Sequence, residues 1–124
     1  MKSELRELIL DELLLQSYIE FALIPMVHGL AGKVALGAWE IMNEPEGSVS
    51  ISSNSDPCFD TSVLQGSGAG WTGENIPMEK FLRFINRQAG AIKRVDSKAL
   101  VTVGSWSERT QTDNFGYRNY YKDE

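Results

Sequence analysis

The chain has 124 residues, 42% of them hydrophobic and 23% charged, which fits one small globular domain with a modest core. Its formal net charge of -5 gives no basic footprint for nucleic acid or an anionic membrane, while a neutral polymer would be indifferent to it. Leu8, Ile9 and Leu10 are interrupted by Glu4, Glu7, Asp11 and Glu12, so the N-terminus does not read as a secretion signal. No uninterrupted apolar run approaches the ~18 residues of a membrane span, and the chain as given is expected to stay in the cytosol. Cys58 is the single cysteine, either a free thiol or half of a disulfide with a partner elsewhere.

In chain order, the first 30 residues read as helix. Leu15, Tyr18, Ile19, Ala22, Leu23, Met26, Val27 and Leu30 recur at three- and four-residue spacing, as one apolar stripe does. Pro25 is expected to bend this helix, and Gly29 and Gly32 suit its end. Val34 to Met42 reads as a buried strand, with Ala38, Glu40, Met42 and Glu44 on one face. Glu46 to Asn75 is rich in Ser, Gly, Asp and Asn. A structureless loop of that length is usually functional or disordered. Pro77 opens a second helix whose stripe is Met78, Phe81, Leu82, Ile85, Ala89, Ile92 and Val95, ended by Asp96 and Ser97. Leu100 to Val103 is a second strand, and the tail from Ser107 has no clear period.

Strand–helix–strand with short apolar strands indicates a parallel sheet. Two strands cannot cover both faces of such a sheet, so the chain is expected to be part of something larger. Asn43-Glu44-Pro45 closes the first strand, because proline cannot continue the ladder. An amide and a carboxyl group thereby sit at the C-terminal end of a parallel strand, where active sites gather in α/β folds. On spacing alone the tripeptide is a weak motif, and a polar strand end entering a turn is the better explanation of it.

The run Ala35-Leu36-Gly37-Ala38-Trp39-Glu40-Ile41-Met42-Asn43-Glu44-Pro45-Glu46-Gly47 resembles the fourth barrel strand of glycoside hydrolase family 5, in clan A. Three later stretches look like the animal endo-β-1,4-mannanases of that family: Gly66-Ser67-Gly68-Ala69-Gly70-Trp71-Thr72-Gly73, Phe84-Ile85-Asn86-Arg87-Gln88-Ala89, and Leu100 to Glu108. The resemblance runs from about Leu15 to the C-terminus. Residues 1–14 fit it poorly and read as a helical extension, leaving 15–124 as a partial catalytic domain. It implies a fragment of a (β/α)8 barrel: about two strands, their helices and one long active-site loop.

The same resemblance implies Glu44 as the general acid/base and Asn43 as the residue that holds the sugar 2-hydroxyl. The implied parent reaction is retaining hydrolysis of β-1,4-mannan, with no cofactor, metal or protein partner. The implied location of the parent is extracellular, so a chain without a signal sequence is expected to be truncated or misassembled. The family's nucleophile, at the end of the seventh strand, has no counterpart here; neither Glu108 nor Glu124 matches it. The isolated chain is therefore expected to be inactive. A related family 5 β-glucanase and a non-catalytic orphan fragment remain alternatives.

Other residues admit two readings. Trp71 either stacks on a sugar ring or anchors its loop, and Trp106 either lines a cleft or packs in the core. Glu40 reads as a buried structural acid, Trp39 as helix–sheet core, and Tyr117, Tyr120 and Tyr121 as a surface aromatic cluster. His28 reads as a helix-end residue, and no ligand spacing around it supports a metal. The Gly-rich loop lacks the Gly-Lys-Ser/Thr ending of a phosphate cradle.

Overall fold

Asp11 ends one helix and starts the next. Its carboxylate accepts from the backbone N–H groups of Leu13 and Leu14 at 2.8 and 3.1 Å, as an N-cap does. In the computed structural model, which describes residues 3–122, the N-terminal helical region is therefore divided. Helix α1 spans Ser3–Leu10, α2 spans Glu12–Tyr18, a π-turn occupies Ile19–Leu23, and α3 spans Ile24–Leu30. The expected disturbance at Pro25 takes the form of that π-turn. Proline has no N–H to donate and its ring crowds the preceding turn, so the backbone widens just before it.

Strand β1 is Trp39–Asn43, α4 is Met78–Val95, and β2 is Val101–Gly104. The two strands pair, and the bonds that flank the pairing, Trp39 N–H to Leu100 O and Glu44 N–H to Gly104 O, advance together as parallel strands require. The chain divides into two compact units. One holds residues up to Ile41 together with Arg83–Thr102; the other holds Met42–Leu82 and the chain from Val103 on.

The first unit buries Ile9, Leu15, Ile19, Leu23 and Val27 on its N-terminal helices, and Phe84, Ile85 and Ile92 on α4. The Arg83 guanidinium donates to the carbonyls of Ile9 and Leu10 at 3.0 Å each, satisfying groups that the end of α1 leaves open, and pairs with Glu12. Tyr18, Ala22, Met26 and Leu30 of the expected stripe are not buried, so the buried face is narrower than the periodicity suggested. Glu12–Leu30 is long and apolar enough, at a mean hydropathy of 1.4, to cross a membrane by length and composition. Gln16, Glu20 and His28 interrupt it; Leu15, Ile19, Leu23 and Val27 are buried along one stripe, while Leu13, Phe21 and Met26 are exposed.

Two sequence expectations are corrected by the strand and its face. The first strand begins at Trp39 rather than Val34, because β2 offers only four residues to pair with; Val34 is wholly exposed. Glu40 is exposed rather than buried. The segment after Glu46 is a long loop pinned by its own contacts. Val49 bridges Ile76 in parallel, and buried Thr61 donates to Ser50 O at 2.7 Å while accepting from Ser52 N–H at 2.9 Å. Such side-chain-to-backbone bonds replace a ladder where none can form. Glu124 lies outside the described residues. His28 is exposed in the last turn of α3, and Trp39 is half-buried.

Candidate active site

All of the geometry below belongs to the unit formed by Met42–Leu82 and the chain from Val103 on. β1 ends at Asn43, and Glu44 turns into the left-handed region with φ 50 and ψ 54. The Pro45 ring disfavours the right-handed helical region for Glu44 but would by itself favour extended backbone, so the left-handed kink is held by other contacts. A non-glycine residue held there costs about 1–3 kcal/mol and persists only where its surroundings over-determine it. Here the Glu44 N–H donates to Gly104 O at 2.6 Å, tying the kink to the end of β2. Its carbonyl accepts from Gly47 N–H at 3.1 Å, and Pro45–Gly47 forms a 3-10 turn. Asn43 and Glu44 are both exposed at the C-terminal end of the strand.

Two residues on, Glu46 has no exposed surface. Donors converge on its carboxylate: the Ser105 hydroxyl at 2.5 Å, the Thr110 hydroxyl at 2.7 Å, the Trp106 N–H at 3.1 Å and the Tyr121 hydroxyl at 3.2 Å. A buried carboxylate survives only with such partners, and an ionised one accepts at both oxygens. Burial, followed by the neighbouring Glu46 charge and its hydrogen bond, pushes the Tyr121 phenol well above its ordinary range. Tyr120 is buried and donates to Asp60 O, while Tyr121 is half-buried. The expected surface aromatic cluster is thus corrected, because these rings anchor the tail from Ser107. Tyr117 instead lies under the Arg109 guanidinium, 5.4 Å from its ring centre.

The Gly-rich stretch returns alongside residues 46–50. Gly70 N–H donates to Glu46 O at 2.8 Å, Thr72 N–H to Gly47 O at 2.9 Å, and Ile76 N–H to Ser48 O at 2.9 Å. Gly70 reaches this position with φ 79, a conformation that a side chain resists. The ladder lays the Trp71 indole on Gly47. Trp71 also meets Trp106 edge to face, with ring centres 5.1 Å apart and planes at 64°. Trp71 is 50% exposed and Trp106 46%, so each keeps a large apolar face toward solvent. Of the paired readings, Trp71 does anchor its loop while leaving a face free, and Trp106 is not a core residue.

The structure thus places Asn43 and Glu44 at one strand end and brings Trp71 and Trp106 together. Glu108 is exposed in a 3-10 turn, Glu108–Thr110. The Glu46 carboxylate and its partners Ser105, Thr110 and Tyr121 were not foreseen. Their only local signal was an acidic residue wedged between Pro45 and Gly47. Among the described residues, no group of three His, Cys, Asp or Glu side chains converges as a metal site would.

Comparison with known proteins gives a consistent result. A mannan endo-1,4-β-mannosidase from Cryptopygus antarcticus is 55% identical over 121 residues, 98% of this chain and 32% of its own length. One from Mytilus edulis is 52% identical over 120 residues, covering 96% of this chain and 33% of its own length. The crystal structure of an endo-1,4-β-mannanase from Eisenia fetida superimposes with a TM-score of 0.93 at 61% identity, over 97% of this chain and 33% of that one. No family model matches the chain. The chain spans about one third of the length of these relatives, and its fold is the corresponding fragment of an α/β barrel.

Proposed function

We propose that the chain, which belongs to the animal endo-1,4-β-mannanases and spans about one third of their length, is the acid/base-bearing segment of a retaining β-mannan hydrolase. The observation that carries this reading is Glu44, exposed at the end of a parallel strand and held in a left-handed kink by Gly104 O. In this role the protonated Glu44 donates to the departing glycosidic oxygen, and the resulting carboxylate then takes a proton from the attacking water. Asn43, its neighbour on the strand end, binds the sugar 2-hydroxyl, an interaction that strengthens in the transition state. Trp71 and Trp106 offer apolar ring faces for sugar rings beside that end.

Retention needs a second carboxylate about 5 Å from the first, acting as nucleophile. No carboxylate of this chain matches the family's nucleophile, so the activity belongs to the complete barrel. The substrate is a neutral polysaccharide, for which the chain's acidic charge is no obstacle. We place the complete protein outside the cell, as its resemblance to the animal mannanases implies.

A matched assay of the complete enzyme on galactomannan, glucomannan and cellulose tests the substrate class, and NMR of the first-formed products tests the stereochemistry. Faster turnover of the two mannans, with the β-anomer released first, is the expected outcome. Preferential cleavage of cellulose would assign the site to a β-glucanase, and release of the α-anomer would remove the retaining mechanism.

A further inference from the structure

One buried carboxylate joins the parts of this site. Glu46 lies in the middle of the Pro45–Gly47 turn that leaves the Glu44 kink, so fixing its side chain fixes that turn. The same carboxylate takes the backbone N–H of Trp106, whose indole meets Trp71. It also takes the hydroxyl of Ser105, next in chain to the Gly104 carbonyl that binds the Glu44 N–H. Thr110 and Tyr121 close the remaining approaches, and Glu46 has no solvent-exposed surface.

We propose that Glu46 is the positioning residue of this site, setting the aim of the Glu44 carboxyl group and the placement of Trp106 through one buried hydrogen-bond cluster. The proposal rests on the acid/base reading of Glu44. A local fold requirement would weaken every function of the site equally. A positioning role for the acid weakens most the steps in which a proton moves through Glu44. Well-packed, multiply bonded second partners hold a reacting group near its productive geometry, and small misplacements cost rate rather than affinity.

The test uses the complete enzyme with Glu46→Gln and, as reference, Glu44→Gln. Turnover of mannan is compared with that of a dinitrophenyl β-mannobioside in the presence of azide. The dinitrophenolate leaves without protonation. Azide, already anionic, attacks the anomeric carbon of the glycosyl-enzyme without a base, forming a C–N bond and releasing the nucleophilic carboxylate. For Glu46→Gln, kcat on mannan is expected to fall on the order of 10-fold or more, with KM changed less than about threefold. Most of that loss should disappear on the activated substrate with azide.

Wild-type kcat on mannan, or an equal loss on both substrates, would overturn the proposal. If Glu46→Gln does not fold, Ser105→Ala removes one donor and leaves the carboxylate; the same two outcomes then decide, with a smaller loss expected. If Glu44→Gln keeps its mannan turnover, the acid/base reading itself fails, a result separate from any outcome at Glu46.

Discussion

The backbone of Gly47 lies so close to the indole of Trp71 that a Cβ there would sit 2.5 Å from Cζ2 and 2.6 Å from Cε2. Glycine is needed at this position for contact, since only its lack of a side chain lets the ring rest on the turn after Glu44. Gly47→Ala is expected to push the indole off the turn, destabilising the complete enzyme by about 1–3 kcal/mol, as overpacking does. Thermal unfolding reads the cost, and a change in tryptophan emission reads the displaced ring. An unchanged melting temperature together with an unchanged emission would show that Trp71 does not rest there.

The edge-to-face pair predicts coupling between its members. Trp71→Ala and Trp106→Ala, combined in a double-mutant cycle, are expected to give a stability coupling of about 0.5–1.5 kcal/mol. Each single variant should raise KM for mannan more than it lowers kcat, because stacking on a sugar ring is binding that substrate and transition state share. A pure kcat effect would remove both rings from substrate binding.

The tail predicts an alkaline transition. Burial, with the Asp60 charge as a second cause and partly offset by Arg118, pushes the Tyr120 phenol up to about 12. The fold favours the neutral phenol, so this stabilisation is fully present below the unfolded value near 10 and is lost as pH rises from there toward 12. Ultraviolet titration should show a delayed tyrosine ionisation, and Tyr120→Phe should flatten the fall in stability over that window. A Tyr120→Phe variant with the wild-type slope would contradict this origin.

The first unit predicts an asymmetric response around Arg83. Arg83→Met removes charged donors from the Ile9 and Leu10 carbonyls, and is expected to cost about 1.5–3 kcal/mol. Glu12→Gln disturbs only the more exposed partner of the pair and should cost about 1 kcal/mol or less. Chemical denaturation of the two variants, in the complete enzyme, distinguishes them; equal costs would mean that the ion pair rather than the carbonyl bonds matters.

How much of this was legible in the sequence depends on where each residue finds its partners. Helix α4 was readable because its signals are local: Pro77 before it, a regular apolar stripe, and Asp96 and Ser97 after it. The start of β1 was misread because Val34, Leu36 and Ala38 look like strand, while strand length is set by the distant partner β2. The division at Asp11 was available as an N-cap signal but was masked by the leucines around it. The order in the long loop was illegible, because Thr61 and the Gly70 and Thr72 amides bond to residues far along the chain. Asn43 and Glu44 stood out through the proline that ends the strand, and their proposed roles came from resemblance. Glu46 gave no comparable sign, since its partners at 105, 106, 110 and 121 are distant in sequence and only the fold assembles them.

The central claim is that Glu44 is the acid/base, and substitution of that one carboxyl group tests it most directly. Glu44 is exposed, so Glu44→Gln in the complete enzyme should leave the thermal transition nearly unchanged. Mannan turnover by the same variant should fall by roughly 10²–10⁴-fold, the usual worth of a positioned acid/base. A folded Glu44→Gln enzyme that still cleaves mannan within a few-fold of wild type would contradict the account.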